Sequence, residues 1–339
     1  MNDNDERLYG CIPAKDQALM ASARGEESDE AKIAALAAPW DRTEQPSIIQ
    51  WNDAWKRHLE DLADNYDSLR DANVLPPFWE MSKQKGYKFE ELCRNLQLGS
   101  DCTAYGETNA AQIAAIMEIY MGAEFDLEAF NPTGVYAYAS GQTPLEYQSF
   151  PDNGRTIYKI AQTACEIGNF PVSAIGEYTG QARFTSLMLR NVSVAKENQL
   201  GFVYIGSKSA EELADIIILS LRACKPVIIG NMVALRDGTH QSADGVYISD
   251  VGGAWGGGHC TAAVDIKKVG NRYYPFILNS HGNRYPAPDG RPAFGTYITR
   301  DGLIRYLSGS FADVMLTTFM KRPRVEYYNL NVCGGISRK

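Results

Sequence analysis

The sequence predicts an α+β protein, and three features carry that prediction. Stretches with apolar residues at helical spacing dominate the chain up to about residue 224. Short runs rich in Val, Ile, Tyr and Thr, parted by Gly, Pro and Asn, dominate the remainder of the chain. No internal repeat or low-complexity tract breaks this order, so helices first and antiparallel strands later point to segregated layers.

Residues 1–47 are rich in Ala, Asp and Glu, with one helix expected around Asp29 to Ala37. Pro46 and Ser47 then precede an amphipathic helix. Its apolar positions, Trp51, Trp55, Leu59, Leu62, Tyr66 and Leu69, advance in steps of three and four and form one stripe. Pro76 and Pro77 close it. Residues 1–85 thus read as an acidic, helical N-terminal extension, and 86–339 as the main domain. The stripe either packs on that domain or docks a partner.

From Gly86 the chain approaches a polar turn, Gly99-Ser100-Asp101, and a long helix is expected from Cys102 to about Met121. Ile113, Ile116, Met117 and Tyr120 form its buried face, and Asp101 as N-cap puts Cys102 in the first turn. Residues 123–200 mix loops rich in Gly, Pro and Tyr with a helix near Arg155 to Ile167. Ser209 to Cys224 reads as a further helix, opening with Glu211, Glu212 and Asp215 where the dipole favours acids. Strands are expected at Val227–Val233, Val246–Ser249, Cys260–Ile266, Tyr273–Leu278, Gly295–Thr299, Val314–Phe319 and Val325–Leu330.

Composition excludes several classes of function. Of 339 residues, 45% are hydrophobic and 22% charged, the profile of an ordinary globular protein. Lys and Arg number 33 against 41 Asp and Glu, a formal charge of −8, and no long basic run offers phosphates a surface. The most apolar window, Ile216 to Gly230, is broken by Arg222 and Lys225 and falls short of the ~20 residues a membrane span needs. The opening MNDNDERLYG has neither the basic start nor the apolar stretch of a secretory signal. Seven scattered cysteines without a CxxC pair favour a reducing, cytoplasmic setting over a disulfide framework. The Asn191-Val192-Ser193 sequon carries little weight there.

Three segments carry chemistry jointly. Cys102 opens a helix, where the positive end of the dipole favours thiolate. A glycine-rich run, Gly256 to Gly258, delivers His259 onto a strand, and Asn279 ends the next strand. Adjacent strands can bring Asn279 within hydrogen-bond reach of His259, where an amide would fix the imidazole's tautomer and plane. The plainer alternatives are a small buried cysteine, a core histidine and a turn-forming asparagine. A zinc site from His240, His259, Cys260 and His281 is disfavoured: His259 and Cys260 alternate faces of a strand, and no pair has zinc spacing. The glycines from Gly252 to Gly258 lack the Gly-Lys-Ser/Thr of a phosphate loop. No metal or cofactor is expected. Asp265, Glu107 and the Tyr-rich segment 134–147 read as structural or as cleft rim.

The order Cys, His, Asn resembles the papain family of cysteine peptidases. Asn279-Ser280-His281-Gly282 is similar to its Asn-Ser-Trp-Gly motif, and Gly258-His259-Cys260-Thr261-Ala262 to its His-Ala segment. Gly295-Thr296-Tyr297 resembles the Gly-Tyr strand that comes after that motif. Lys225-Pro226-Val227 and Gly245-Val246-Tyr247 resemble the Gly-Pro-Val and Gly-Ile-Tyr segments before the histidine. His259 follows Cys102 by slightly more than the ~130–150 residues expected of this family.

The resemblance implies a papain-like two-lobed fold: a helical lobe over about 86–200, an antiparallel β lobe over about 201–320, and C-terminal strands. It implies Gln97 as the side-chain donor of an oxyanion hole, Cys102 as nucleophile, His259 as base and Asn279 as its orienter, acting on a peptide or protein substrate. Residues 1–85 would then be an inhibitory pro-segment or a docking arm for other subunits. Asp101 and Thr103 stand where the family has a small residue and Trp, and His281 stands where it has Trp. A carboxylate beside the nucleophile should raise the thiol's pKa. An alternative implied by these departures is a papain-like domain of reduced activity, serving as a structural or interaction subunit of a large assembly such as a phage virion. A related amidase or acyltransferase is a third option.

Overall fold

The computed structural model describes residues 46–93, 95–97, 101–121, 126–139, 155–177, 186–309 and 312–321. The helix expected around Asp29 to Ala37, the turn at Gly99 and Ser100, residues 140–147 of the Tyr-rich segment and the strand Val325–Leu330 lie outside them.

A short strand, β1 (Ile48–Gln50), leads into helix α1 (Asp53–Asp71). The Asn52 side chain caps α1 by accepting the Trp55 N–H at 3.0 Å. Trp55, Leu59, Leu62, Tyr66 and Leu69 are buried along one face, as the spacing predicts, while Trp51, the first of the expected stripe, lies before the cap and outside the helix. Two short helices come next, α2 (Phe78–Gln84) and α3 (Phe89–Leu92). The central helix is α4 (Cys102–Tyr120). The helical part continues with α5 (Pro132–Ala139), α6 (Ile157–Glu166), α7 (Val172–Ile175), α8 (Ser186–Arg190) and α9 (Val192–Lys196).

Strand β2 (Gln199–Tyr204) precedes α10 (Ala210–Arg222), which a Ser209–Glu212 capping box starts. Then come β3 (Val227–Leu235), β4 (His240–Gln241), β5 (Tyr247–Ile248), β6 (Val251–Val269), β7 (Arg272–Leu278) and β8 (Gly295–Tyr297). Helix α11 (Arg300–Leu307) and strand β9 (Ala312–Lys321) complete the described chain.

The strands of the described residues form one nine-stranded sheet in the order β1-β2-β9-β3-β6-β7-β8-β5-β4. The expectation of a purely antiparallel sheet needs correction, because β1 runs parallel to β2 and β5 parallel to β8. Parallel neighbours need long connections. The helices from α1 to α9 supply one, and the β6–β7 hairpin with its following loop lies between β5 and β8. Strand composition reveals that a run is extended, not which edge receives it. The centre of the sheet is antiparallel: Asn231 stands opposite His259 across β3 and β6, and Ala262 opposite Leu278 across β6 and β7.

Helix α4 departs from the expected single buried face. Every residue from Cys102 to Met117 is buried, with α2, α5, α6 and strands β3, β6 and β9 around it. Its small side chains permit that enclosure. Gly106 lies one turn beyond Cys102, where a Cβ would meet Cys260 Sγ at 2.7 Å and the Thr261 carbonyl at 3.3 Å. Only glycine lets the first turns of α4 lie this close to β6. No helix of the described residues is long and apolar enough to cross a membrane.

Candidate active site

The contact of α4 with β6 sets Cys102 beside the strand that carries His259. The sulfur meets β6 at the backbone N–H of Cys260, the residue after His259. Burial is the strongest influence on this thiol and pushes its pKa up to about 11. Asp101, itself buried, pushes the same way, as its carboxylate character predicts. The N–H groups of Cys260, Thr103 and Cys102 oppose both. Asp101 stands at the N-cap position of α4 but makes no side-chain cap bond.

His259 and Asn279 come together as the strand pairing requires. His259 Nε2 and Asn279 Oδ1 are 2.8 Å apart, and both side chains are buried. The asparagine is held from three sides. Its Oδ1 also accepts the Ser280 N–H at 2.8 Å, and its Nδ2 donates to the Tyr285 hydroxyl at 2.7 Å. A backbone N–H can only donate, so the atom it meets must be the amide oxygen. His259 therefore donates through Nε2–H, and the lone pair of the neutral imidazole sits on Nδ1. Burial lowers the pKa of His259 to about 4, with the Asn279 bond opposing and His281 adding to the fall. Thiol and imidazole are thus both neutral near pH 7.

Residues 95–97 run between the loop after β7 and the start of α4. Gln97 N–H donates to the Ser280 carbonyl at 2.8 Å, Gly282 N–H to the Asn95 carbonyl at 2.6 Å, and Leu96 bridges His281. The Tyr105 hydroxyl, on the first turn of α4, donates to the Leu96 carbonyl at 2.9 Å. The Ser280 hydroxyl donates to Gln97 Oε1. Gln97 is thereby fixed against the segment that carries Asn279, and Leu96 beside it is exposed.

Three participants escape a reading of sequence alone. Tyr285 orients Asn279, Ser280 holds Gln97, and His281 stacks on His259 with ring centroids 4.4 Å apart and planes 29° from parallel. The substitution of His281 into the Asn-Ser-Trp-Gly pattern is visible in the sequence, but its stacking on the base is not. Asp265 and Glu107 are buried elsewhere. Asp265 lies by Arg70, and Glu107 accepts the Asn169 amide at 3.0 Å. Among the described residues no three of His, Cys, Asp and Glu gather as metal ligands, and Cys93, Cys102, Cys165, Cys224 and Cys260 are free thiols.

No family model matches the chain, and no curated protein matches its sequence. Among solved structures, it is similar to xylellain, a cysteine protease from Xylella fastidiosa, at 13% identity over 68% of this chain and 83% of that one, with a TM-score of 0.44. It is similar to digestive procathepsin L 3 of Tenebrio molitor larval midgut at 12% identity over 92% and 99%, TM-score 0.39. A structure from a study of the mite allergens Blo t 1 and Der p 1 is 16% identical over 67% of both chains, TM-score 0.40. Likenesses this distant leave the chain's own geometry to bear the weight. That geometry is α+β, with a cysteine-headed helix laid on β6, the strand that carries His259, and with Asn279 just past the end of the adjacent β7, the arrangement expected of a papain-like fold.

Proposed function

We propose that this chain is a papain-like thiol hydrolase acting on a peptide or amide bond. The observation that carries the proposal is the locked Asn279 amide, which forces His259 to donate through Nε2 and leaves Nδ1 as a proton acceptor. In this mechanism His259 Nδ1 takes the Cys102 thiol proton as the sulfur attacks the substrate's carbonyl carbon. The oxyanion is received by the Cys102 N–H and the Gln97 amide. Ser280 donates to the oxygen of that amide, which identifies the other end as the NH₂ donor. The imidazolium then protonates the leaving amine. Water adds to the thioester with His259 as base, releasing the acid and restoring the thiol.

A second reading has a specific observation in its favour. Cys102 is only 8% exposed, and its thiol pKa stands near 11 beside a buried carboxylate, so little thiolate is present at rest. A papain-like domain of reduced activity, used as an interaction subunit, fits that resting state.

One experiment separates the two. Chloroacetamide labelling of the full chain is followed by peptide mapping from pH 6 to 10, alongside hydrolysis of a fluorogenic peptide library by wild type and Cys102→Ala. The hydrolase reading expects turnover that the variant abolishes. It also expects Cys102 labelling that exceeds that of the other cysteines and is slowed at least tenfold by His259→Ala. No turnover, together with Cys102 labelling no faster than that of buried Cys165, would leave the interaction subunit standing.

A further inference from the structure

We propose that His281 is a positioning residue with two states: neutral, its ring covers the His259–Asn279 hydrogen bond; protonated, it sets a positive charge against the base and shuts the site on the acid side. The proposal rests on the hydrolase reading of Cys102 and His259, and it adds a control to that site.

The geometry has three parts. His281 is bridged to Leu96 on one side and lies against His259 at 4.4 Å on the other, nearly parallel. Its backbone carbonyl accepts Arg284 Nε–H at 3.0 Å, and Arg284 pairs with Asp237 at 2.9 Å. The charged and titratable groups seen to act on the ring among the described residues include His259 on β6, Arg284 on its own loop, and Asp237 on the loop between β3 and β4. Arg284 opposes a proton on His281 and Asp237 favours one, while burial is the largest influence lowering its pKa. His281 is half-buried and His259 almost wholly buried, so the first proton taken up in acid goes to the more solvated ring, His281.

The second step builds on the first. During catalysis His259 must become an imidazolium, and a cation already stacked on it opposes that charge. A like charge at such range shifts its neighbour by about one unit or more, which is roughly tenfold in the population of the charged base. The two rings thus titrate as a coupled pair rather than independently. An aromatic ring without a proton site would cover the His259–Asn279 bond equally well but could not carry this control.

Imidazole ¹H–¹⁵N correlation spectra of the full chain, recorded from pH 3.5 to 8, test the proposal for wild type, His281→Trp and His281→Ala. Wild type is expected to show His259 resonances that move in two steps, the earlier one tracking the titration of His281. In His281→Trp, His259 should titrate in one step, about one unit above its second step in wild type. The Nε2–H resonance of His259, slow to exchange in wild type, should stay slow with Trp and exchange faster with Ala. The acid limb of hydrolysis should move to lower pH in His281→Trp. A single His259 step that is unchanged by His281→Trp would overturn the proposal, and the wild-type titration alone decides should a variant fail to fold. Because the spectra need no turnover, a chain that hydrolyses nothing yet shows the coupled titration keeps this inference and loses the hydrolase reading.

Discussion

Asn279 is a small side chain held at both ends: His259 and Ser280 donate to its oxygen, and its nitrogen donates to Tyr285. Replacing Tyr285 by Phe removes the acceptor of a buried N–H, a loss of about 1–3 kcal/mol in unfolding free energy that urea titration would measure. Turnover should fall through kcat rather than KM, because the tyrosine is wholly buried. Unchanged stability would mean that water or another group takes the tyrosine's place. Glu107, 0% exposed on α4, makes a different prediction. Burial raises its pKa to about 8, with the amide of Asn169 opposing. In the unfolded chain a glutamate loses its proton near ~4.3. Between those values the folded chain holds the extra proton, so stability present at acid pH falls by about 1.4 kcal/mol per unit as pH rises towards 8, then levels off. Glu107→Gln should remove that slope, and a wild-type-minus-variant difference flat from pH 5 to 8 would refute it. Residue types explain what the sequence could suggest here. Cys102, His259 and Asn279 could be proposed from sequence because a nucleophile, a base and an amide in that order have few other joint uses, and Gln97 only through the resemblance. Tyr285 carries no such mark, since nothing local says where its hydroxyl points.

At the scale of elements, the site depends on how closely α4 approaches β6. Alanine favours helix over glycine by ~1 kcal/mol, yet Gly106→Ala should destabilise. Its Cβ would lie 2.7 Å from Cys260 Sγ and 3.3 Å from the Thr261 carbonyl. A net loss of about 1–3 kcal/mol is expected, along with loss of hydrolysis as the first turn of α4 lifts Cys102 from its strand. Cys260→Ala removes the nearer obstacle, so the double variant should regain part of both losses. Additivity in that cycle would show that the two positions do not press on each other. The helix α4 was legible from the polar turn before Cys102, and strand β7 from its Tyr- and Ile-rich run. Strand β6, expected at Cys260–Ile266, instead runs from Val251 to Val269 and takes the glycines before His259 into the strand. Strand β2 was not legible, because Gln199 and Gly201 interrupt a short apolar run whose members are nearly all buried, leaving no alternation to read. Helix α11 was hidden behind Thr299, which reads as the end of a strand but caps the helix by accepting the Gly302 N–H at 2.9 Å. The buried apolar positions of α11, Leu303, Tyr306 and Leu307, are few enough that a loop explained them equally well.

Across the whole molecule, the question is whether α1 can leave. Its stripe enters the same hydrophobic core as the sheet, and its C-terminal end is fastened by charge. Arg70 donates to the Arg222 carbonyl at 2.7 Å and the Leu221 carbonyl at 3.0 Å, at the C-terminus of α10, where a cation is favoured. Asp67 joins the same knot, accepting Arg70 at 3.2 Å, Arg222 at 2.7 Å and the Tyr273 hydroxyl of β7 at 2.8 Å. Lys268 on β6 adds an ion pair to Asp71 at 2.6 Å. A helix held this way is expected to behave as part of the body rather than as a removable cover. Arg70→Ala strips Asp67 of one counter-charge and leaves the α10 carbonyls and Cys224 without their donor, so a loss of about 3–5 kcal/mol is expected. The decisive measurement is the form of the unfolding curve. If α1 is integral, the variant unfolds in one transition, coincident by far-UV circular dichroism and tryptophan fluorescence, with a lowered midpoint and an unchanged m-value. A first, shallow transition that releases α1 while the sheet persists, accompanied by faster chloroacetamide labelling of Cys102, would instead make α1 a detachable segment that restrains the thiol.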